Sequence, residues 1–192
     1  MGREMKRVGQ RGFTLVELMV TVAVLAIIVG IAVPSFRNML LNSRLTAAAN
    51  ELSAALQGAR MEALRTNARV VLCPSTDGQT CSGAGDWSSF VMISKRNGGS
   101  TPLRTFSLNT NGLTVLGSSN VSSNNQIWYQ ADGFVRVGSA TPPAQIGTIG
   151  VCATGLSSNN ARDVQVSMGR VAVAQNARSG CAAPADSWGS YQ

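Results

Sequence analysis

From Phe13 to Val33 the chain reads FTLVELMVTVAVLAIIVGIAV, 21 residues with one charge, Glu17. As a helix rising ~1.5 Å per residue this stretch is about 30 Å long, which matches the hydrocarbon core of a bilayer. Arg3, Lys6, Arg7 and Arg11 precede it with Glu4 as the sole acid, so +3 of the formal net charge of +7 lies in residues 1–12. Positive charge ahead of an apolar span keeps the N-terminus in the cytoplasm, and the long polar chain beyond Pro34 then lies across the membrane. Three simpler explanations fit less well. A cleaved secretory signal has an apolar core of about 7 to 15 residues without an acid. A plain anchor gives no reason for Glu17 at the fifth position of the span, where an acid costs up to about 3 kcal/mol, less near the interface. A buried soluble helix needs a larger surrounding core than the remaining chain supplies. An acid in such a place implies a partner.

Composition narrows the chemistry. At 192 residues and 20.0 kDa, with 44% hydrophobic, 13% charged and 5% aromatic residues, the chain reads as ordered, one globular domain plus an appendage. Histidine is absent. That removes the commonest general base near neutral pH and the commonest metal ligand, and with them His-based triads and His-ligated zinc or haem. Neither an enzyme nor a metal or other cofactor is expected.

The run RGFTLVELMVTVAVLAIIVGIAVPSF resembles the class III signal and N-terminal helix of type IV prepilins and type II secretion pseudopilins. The resemblance implies that a prepilin peptidase cuts after Gly12 and that Phe13 becomes the N-methylated N-terminus. It also makes Glu17 the assembly acid, whose carboxylate pairs in a filament with the α-ammonium of Phe13 on a neighbouring subunit, inside an apolar helical core. Pro34, 22 residues into the mature chain, lacks an amide hydrogen and clashes with the preceding turn. It is therefore expected to kink or locally melt the helix where the membrane ends, and the family carries a proline there too.

Beyond Pro34 the helical period resumes. Leu45, Ala48, Ala49, Leu52, Ala55, Leu56, Ala59 and Ala63 recur at three- and four-residue steps, whereas Arg44, Glu51, Arg60 and Arg65 fall largely on other faces. The pattern predicts an amphipathic helix to about Thr66 that packs on the chain following it. From Arg69 onward Gly, Ser, Asn and Thr become dense, and nine short strands are predicted: RVVLC, SFVMIS, LRTFSL, LTVL, QIWYQ, FVRVG, TIGVC, DVQVSM and RVAVA. Asp132-Gly133 and Gly169 supply permissive backbone for two hairpin reversals, and residues 117–125 read as an exposed loop. Cys73, Cys81, Cys152 and Cys181 lie on the translocated, oxidising side and admit three pairings. Sequence proximity favours Cys73 with Cys81 and Cys152 with Cys181. A zinc site needs shorter paired spacings and usually a histidine.

ELSAALQGARMEALR, RVVLCPSTDGQTCSGAGDW and DVQVSMGRVAVAQNARSGC make the whole chain similar to the GspH/FimT group of minor pilins and pseudopilins. LCPS-x-DG-x-x-C followed by Trp87 reads more like the FimU/FimT pilus branch than the secretion branch. The fold implied is α+β and pilin-like: a long N-terminal helix, its first half transmembrane, packed on an antiparallel β-sandwich with two disulfides. Residues 1–12 form the leader, 13–34 the transmembrane half of the helix, 35–67 its amphipathic half and 68–192 the periplasmic β-rich domain.

The function implied is that of a minor type IV pilin that primes pilus assembly near the filament tip. Its partners are other minor and major pilins, the prepilin peptidase and the inner-membrane assembly platform. Two alternatives stand beside it, a pseudopilin of type II secretion and a DNA-binding uptake pilin. Some FimT-like pilins take up DNA through Gly-Arg-x-Arg, and Gly169-Arg170-Val171-Ala172 supplies only the first arginine, so DNA binding requires Arg162, Arg170 and Arg178 to converge on one face. Trp87, Trp128, Tyr129, Trp188 and Tyr191 are expected to anchor the core rather than form a stacking platform.

Overall fold

The computed structural model describes residues 12–186, which fall into two units, one ending at Asn38 and the other beginning at Met39. Helix α1 spans Leu15–Thr66, 52 residues. It starts on Thr14, whose hydroxyl accepts the Glu17 backbone N–H at 3.2 Å, the spacing of a Thr-x-x-Glu capping box. It stops at Asn67, which adopts a left-handed φ of 49°, so that the Ala68 N–H turns back to the Ala63 carbonyl at 3.3 Å. That is a Schellman closure with Asn in the place glycine usually takes. The helix runs unbroken through Pro34. The local melting expected there does not occur, because proline removes one backbone hydrogen bond while the bonds of the turns on either side persist.

In the second unit, the helix residues predicted to face inward, from Leu45 to Ala63, are all buried in the main core. Five of those eight are alanine, and small side chains let strands approach the helix axis closely. Nine strands follow at the nine predicted places. β1 (Arg69–Pro74), β2 (Ser89–Arg96), β3 (Gly99–Ser107), β5 (Ile127–Tyr129) and β6 (Val135–Val137) form one sheet in the order β3-β2-β1-β5-β6. β4 (Leu113–Gly117), β7 (Ile146–Ala153), β8 (Ala161–Ser167) and β9 (Arg170–Asn176) form the other in the order β4-β7-β8-β9. Every pairing is antiparallel. Val70, Leu72, Phe90 and Tyr129 from the first sheet and Val151, Val164 and Val166 from the second close over the helix stripe. Because side chains alternate along a strand, Val71, Cys73, Val91, Ile93 and Trp128 form a separate apolar cluster on the opposite face of the first sheet. Beyond the exposed Arg69, β1 is thus buried on both faces, which is why Val70 to Cys73 are apolar without interruption.

Residues 117–125 are not simply an exposed loop. Ser119–Ser122 form a helical turn, α2, that buries Val121. Buried Ser118 is tied to Thr148 by two hydrogen bonds: its hydroxyl oxygen accepts the Thr148 N–H, and its own N–H donates to the Thr148 carbonyl. Serine-rich composition misleads here because hydroxyls can satisfy backbone groups inside a fold as well as meet water.

Both disulfides pair as proximity suggested, Cys73–Cys81 and Cys152–Cys181. The second holds the segment after β9 against β7. Asp186 continues that strap by accepting the Asn120 N–H at 2.9 Å and the Ser119 hydroxyl.

Candidate functional site

No residue from Gly12 to Val33 is buried, and Phe13 is 82% exposed. A continuous apolar surface of that extent is a partner-seeking surface, since isolated soluble domains rarely expose apolar patches above a few hundred Å². The helix is long and apolar enough to cross a membrane. At its start Thr14 fixes the direction of the first turn, and Glu17 places negative charge where the helix dipole favours it. Among the described residues no side chain pairs with the Glu17 carboxylate.

The structure does not bring Arg162, Arg170 and Arg178 together. Arg162 is buried on β8, its Nη1 donating to the carbonyls of Asn159 and Ala161, both at 2.9 Å. Arg178 lies over Gly150, where the missing Cβ makes room for the guanidinium, and its Nη2 meets Asp163 Oδ1 at 2.7 Å with side chains 10% and 3% exposed. Both are committed to the inside of the domain. Arg170 is exposed opposite Ser167 at the turn end of the β8–β9 ladder, whereas Arg162 is opposite Gln175 near the other end. Five residues along β8 put the two ends ~17 Å apart. Sequence spacing does not show this: Arg162 turns onto carbonyls of its own strand end because β8 is buried, and Arg178 is taken up by a carboxylate fifteen residues away that the fold brings near.

A fourth arginine matters more to the architecture. Arg60, expected on an outer face of the helix, donates from Nε to the Gly133 carbonyl at 3.1 Å and from Nη1 to the Gly169 carbonyl at 2.7 Å. Gly133 is in the β5–β6 turn and Gly169 in the β8–β9 turn, so one helix side chain holds a hairpin of each sheet. Gly133 has the left-handed φ of 76° that its turn requires. Gly169 does not. The left-handed residue of the second turn is Met168, with φ 54°; at Gly169 a Cβ would stand 3.1 Å from Arg60 Nη2, so the guanidinium would have to give by a few tenths of an ångström. Nearby, burial pushes the Tyr129 phenol well above its ordinary pKa, with the Arg60 charge pulling the other way. The one signal for Arg60 in the sequence is its place at the border of the apolar stripe.

Comparison with known proteins assigns this arrangement. Residues 7–33 match the prokaryotic N-terminal methylation motif, and residues 48–170, well over half of the chain, match Type II transport protein GspH. The chain belongs to the GspH family. Its fold is similar to that of the type IV minor pilin FimU of Pseudomonas aeruginosa, at 25% identity over 69% of this chain and 90% of that one, with a TM-score of 0.52. A second crystal form of FimU aligns at 27% identity over 68% of this chain and 92% of that one, with a TM-score of 0.49.

As a GspH-family member this is a type IV/type II minor-pilin-like structural protein, not an enzyme. The methylation motif implies processing by prepilin peptidase and assembly with pilins, and the apolar helix that carries it is consistent with anchoring in the inner membrane before assembly. Trp87, Trp128 and Tyr129 are core residues. Arg69 stacks its guanidinium 4.3 Å from the Trp128 ring centroid, and burial lowers its pKa. Trp188 and Tyr191, like the basic leader residues, lie outside the described residues.

Proposed function

We propose that this GspH-family chain is a minor type IV pilin that helps prime pilus assembly and sits near the filament tip, serving pilus biogenesis, twitching and adhesion. The observation that supports it is the likeness to FimU over 90% of that chain, joined to a helix whose apolar surface is exposed from Leu15 to Val33. Cleavage after Gly12 removes residues 1–12 and frees the Phe13 amine for methylation. The subunit then waits as a single-pass inner-membrane protein, residues 13–34 in lipid, with the amphipathic helix half 35–67 and the domain 68–192 in the periplasm. Transfer from lipid into a bundle of pilin helices trades one apolar surrounding for another, so apolar burial alone gives little drive. The Glu17 carboxylate, costly in lipid, supplies the difference when it meets the Phe13 ammonium of a neighbour.

The test is Glu17→Ala in native cells. The variant is expected to be processed normally and to be depleted from sheared pili, and wild-type incorporation would count against the pairing.

A second reading, a pseudopilin of type II secretion, is favoured by the family description itself. Gene deletion separates the two. Lost twitching with normal secretion supports the pilus, and lost secretion with normal twitching supports the pseudopilin.

A further inference from the structure

The two sheets have four edge strands, and three of them are closed to further pairing. β3 carries Pro102 and Arg104 and sits across from an irregular register at Met92/Ile93. β4 is covered by the bridge from Asp86 to Leu116 and by the Trp87 N–H on the Val115 carbonyl. β6 is three residues long; Val137 bridges Ala144 and the Val135 N–H is taken by the Met168 carbonyl. These are the devices by which proteins prevent strands from adding to an edge. β9, Arg170–Asn176, has no proline, no register break, no covering bridge among the described residues and no mid-strand charge. Its seven residues, RVAVAQN, pair with β8 in unbroken register, contain no proline, and hold a single charge at one end. In an antiparallel edge strand the N–H and C=O of every second residue point away from the sheet.

Beside that edge lies an open groove of about 370 Å³, lined by Gln57, Arg60, Met61, Gly169, Arg170 and Val171. A strand added ~4.8 Å from β9 would send alternate side chains into this groove against α1. Arg60 is held by the two turn carbonyls, so the available charge at the rim is Arg170, which no acid among the described residues pairs.

We propose that β9 is a docking edge for β-strand addition, and that its occupant is an extended segment of another filament subunit with apolar residues at alternate positions and a carboxylate opposite Arg170. Main-chain hydrogen bonds supply the affinity, and the groove and Arg170 set register and direction. Only the source of the strand rests on the function proposed above; the open edge is a property of the domain. The test therefore uses the edge directly.

The processed full-length chain in detergent micelles is titrated with a fluorescent peptide of β9's length. The peptide alternates Thr and Val and ends in Asp, which an antiparallel alignment places opposite Arg170. Binding is expected to slow amide exchange across residues 170–176 and not at the other edges. Replacing the peptide's Asp with Lys is expected to weaken binding roughly three- to tenfold, the range of a cross-strand charge pair turned repulsive. Arg170→Glu is expected to reverse that preference. Val173→Lys, which puts a charge mid-edge, is expected to lose binding with the circular dichroism spectrum unchanged. Absence of binding by the folded wild type, binding without protection of β9, or equal affinity for the Asp and Lys peptides would overturn the proposal. So would β9 amides already protected, without peptide, in a chain of dimeric mass, since a second copy would then occupy the edge. Loss of filament incorporation in the Glu17→Ala cells leaves all of these readouts untouched, so the two hypotheses fail separately.

Discussion

Replacing Arg60 with alanine removes both bonds by which α1 holds the β5–β6 and β8–β9 turns. A hydrogen bond from a charged donor is worth about 1.5–3 kcal/mol, so the pair sets an upper range of about 3–6 kcal/mol. The bond to Gly169 is at the exposed rim and that to Gly133 is half-buried, so water recovers part of the loss at both carbonyls. The expected cost of Arg60→Ala is therefore about 2–3 kcal/mol. At ~2–4 °C per kcal/mol for a domain of this size, the midpoint of thermal unfolding falls by roughly 5–10 °C. Urea unfolding of the full chain in detergent, followed by the fluorescence of buried Trp87 and Trp128, should show a lower midpoint with the same slope. Arg60→Lys keeps the charge but replaces a planar fork with a point donor, and it should lose about half as much. Amide exchange should quicken in both turns together. If both variants unfold within ~0.5 kcal/mol of wild type, or if only one turn responds, Arg60 does not couple the two sheets.

Three further outcomes are expected. Removing the Cys152–Cys181 bond by paired alanine substitution opens a loop of sequence separation 29, which in the chain-entropy picture costs about 3–4 kcal/mol and shows as a lower urea midpoint. The Asp77 carboxylate, which accepts the N–H groups of Thr80 and Gln79 and the hydroxyls of Thr80 and Ser75, is held well below the usual carboxylate pKa. A depressed folded pKa means that its contribution is present above the ordinary Asp value of ~3.9 and is lost as pH falls below it. Asp77→Asn should accordingly flatten the acid limb of the stability–pH curve and leave its shape near neutrality unchanged. Gly12→Leu should leave an uncut precursor in the membrane, detected by intact mass; mature protein from that variant would refute the assigned cleavage position.

Much of the fold was legible because its signals are local. The three- and four-residue recurrence from Leu45 to Ala63 could be satisfied by nothing but a helix with one buried face, and the structure buries that set. The nine apolar runs became nine strands for the same reason. What escaped was non-local. Arg60 looks like any outward cation until two turns arrive beside it. Arg178 looks available until Asp163, fifteen residues earlier, takes it up. Met168 rather than the adjacent glycine takes the left-handed place in the β8–β9 turn, against propensity, and the guanidinium of Arg60 packs close to Gly169.

The amino-acid order alone determined the apolar N-terminal span, its acid, the helix that follows and the strand-rich remainder, because each depends on residues within a few positions of one another. Which cations stay free, which edge stays open and how the helix is fastened to both sheets were decided by tertiary structure. Those properties depend on distances between groups far apart in the chain, and the backbone sets such distances only once the core has closed.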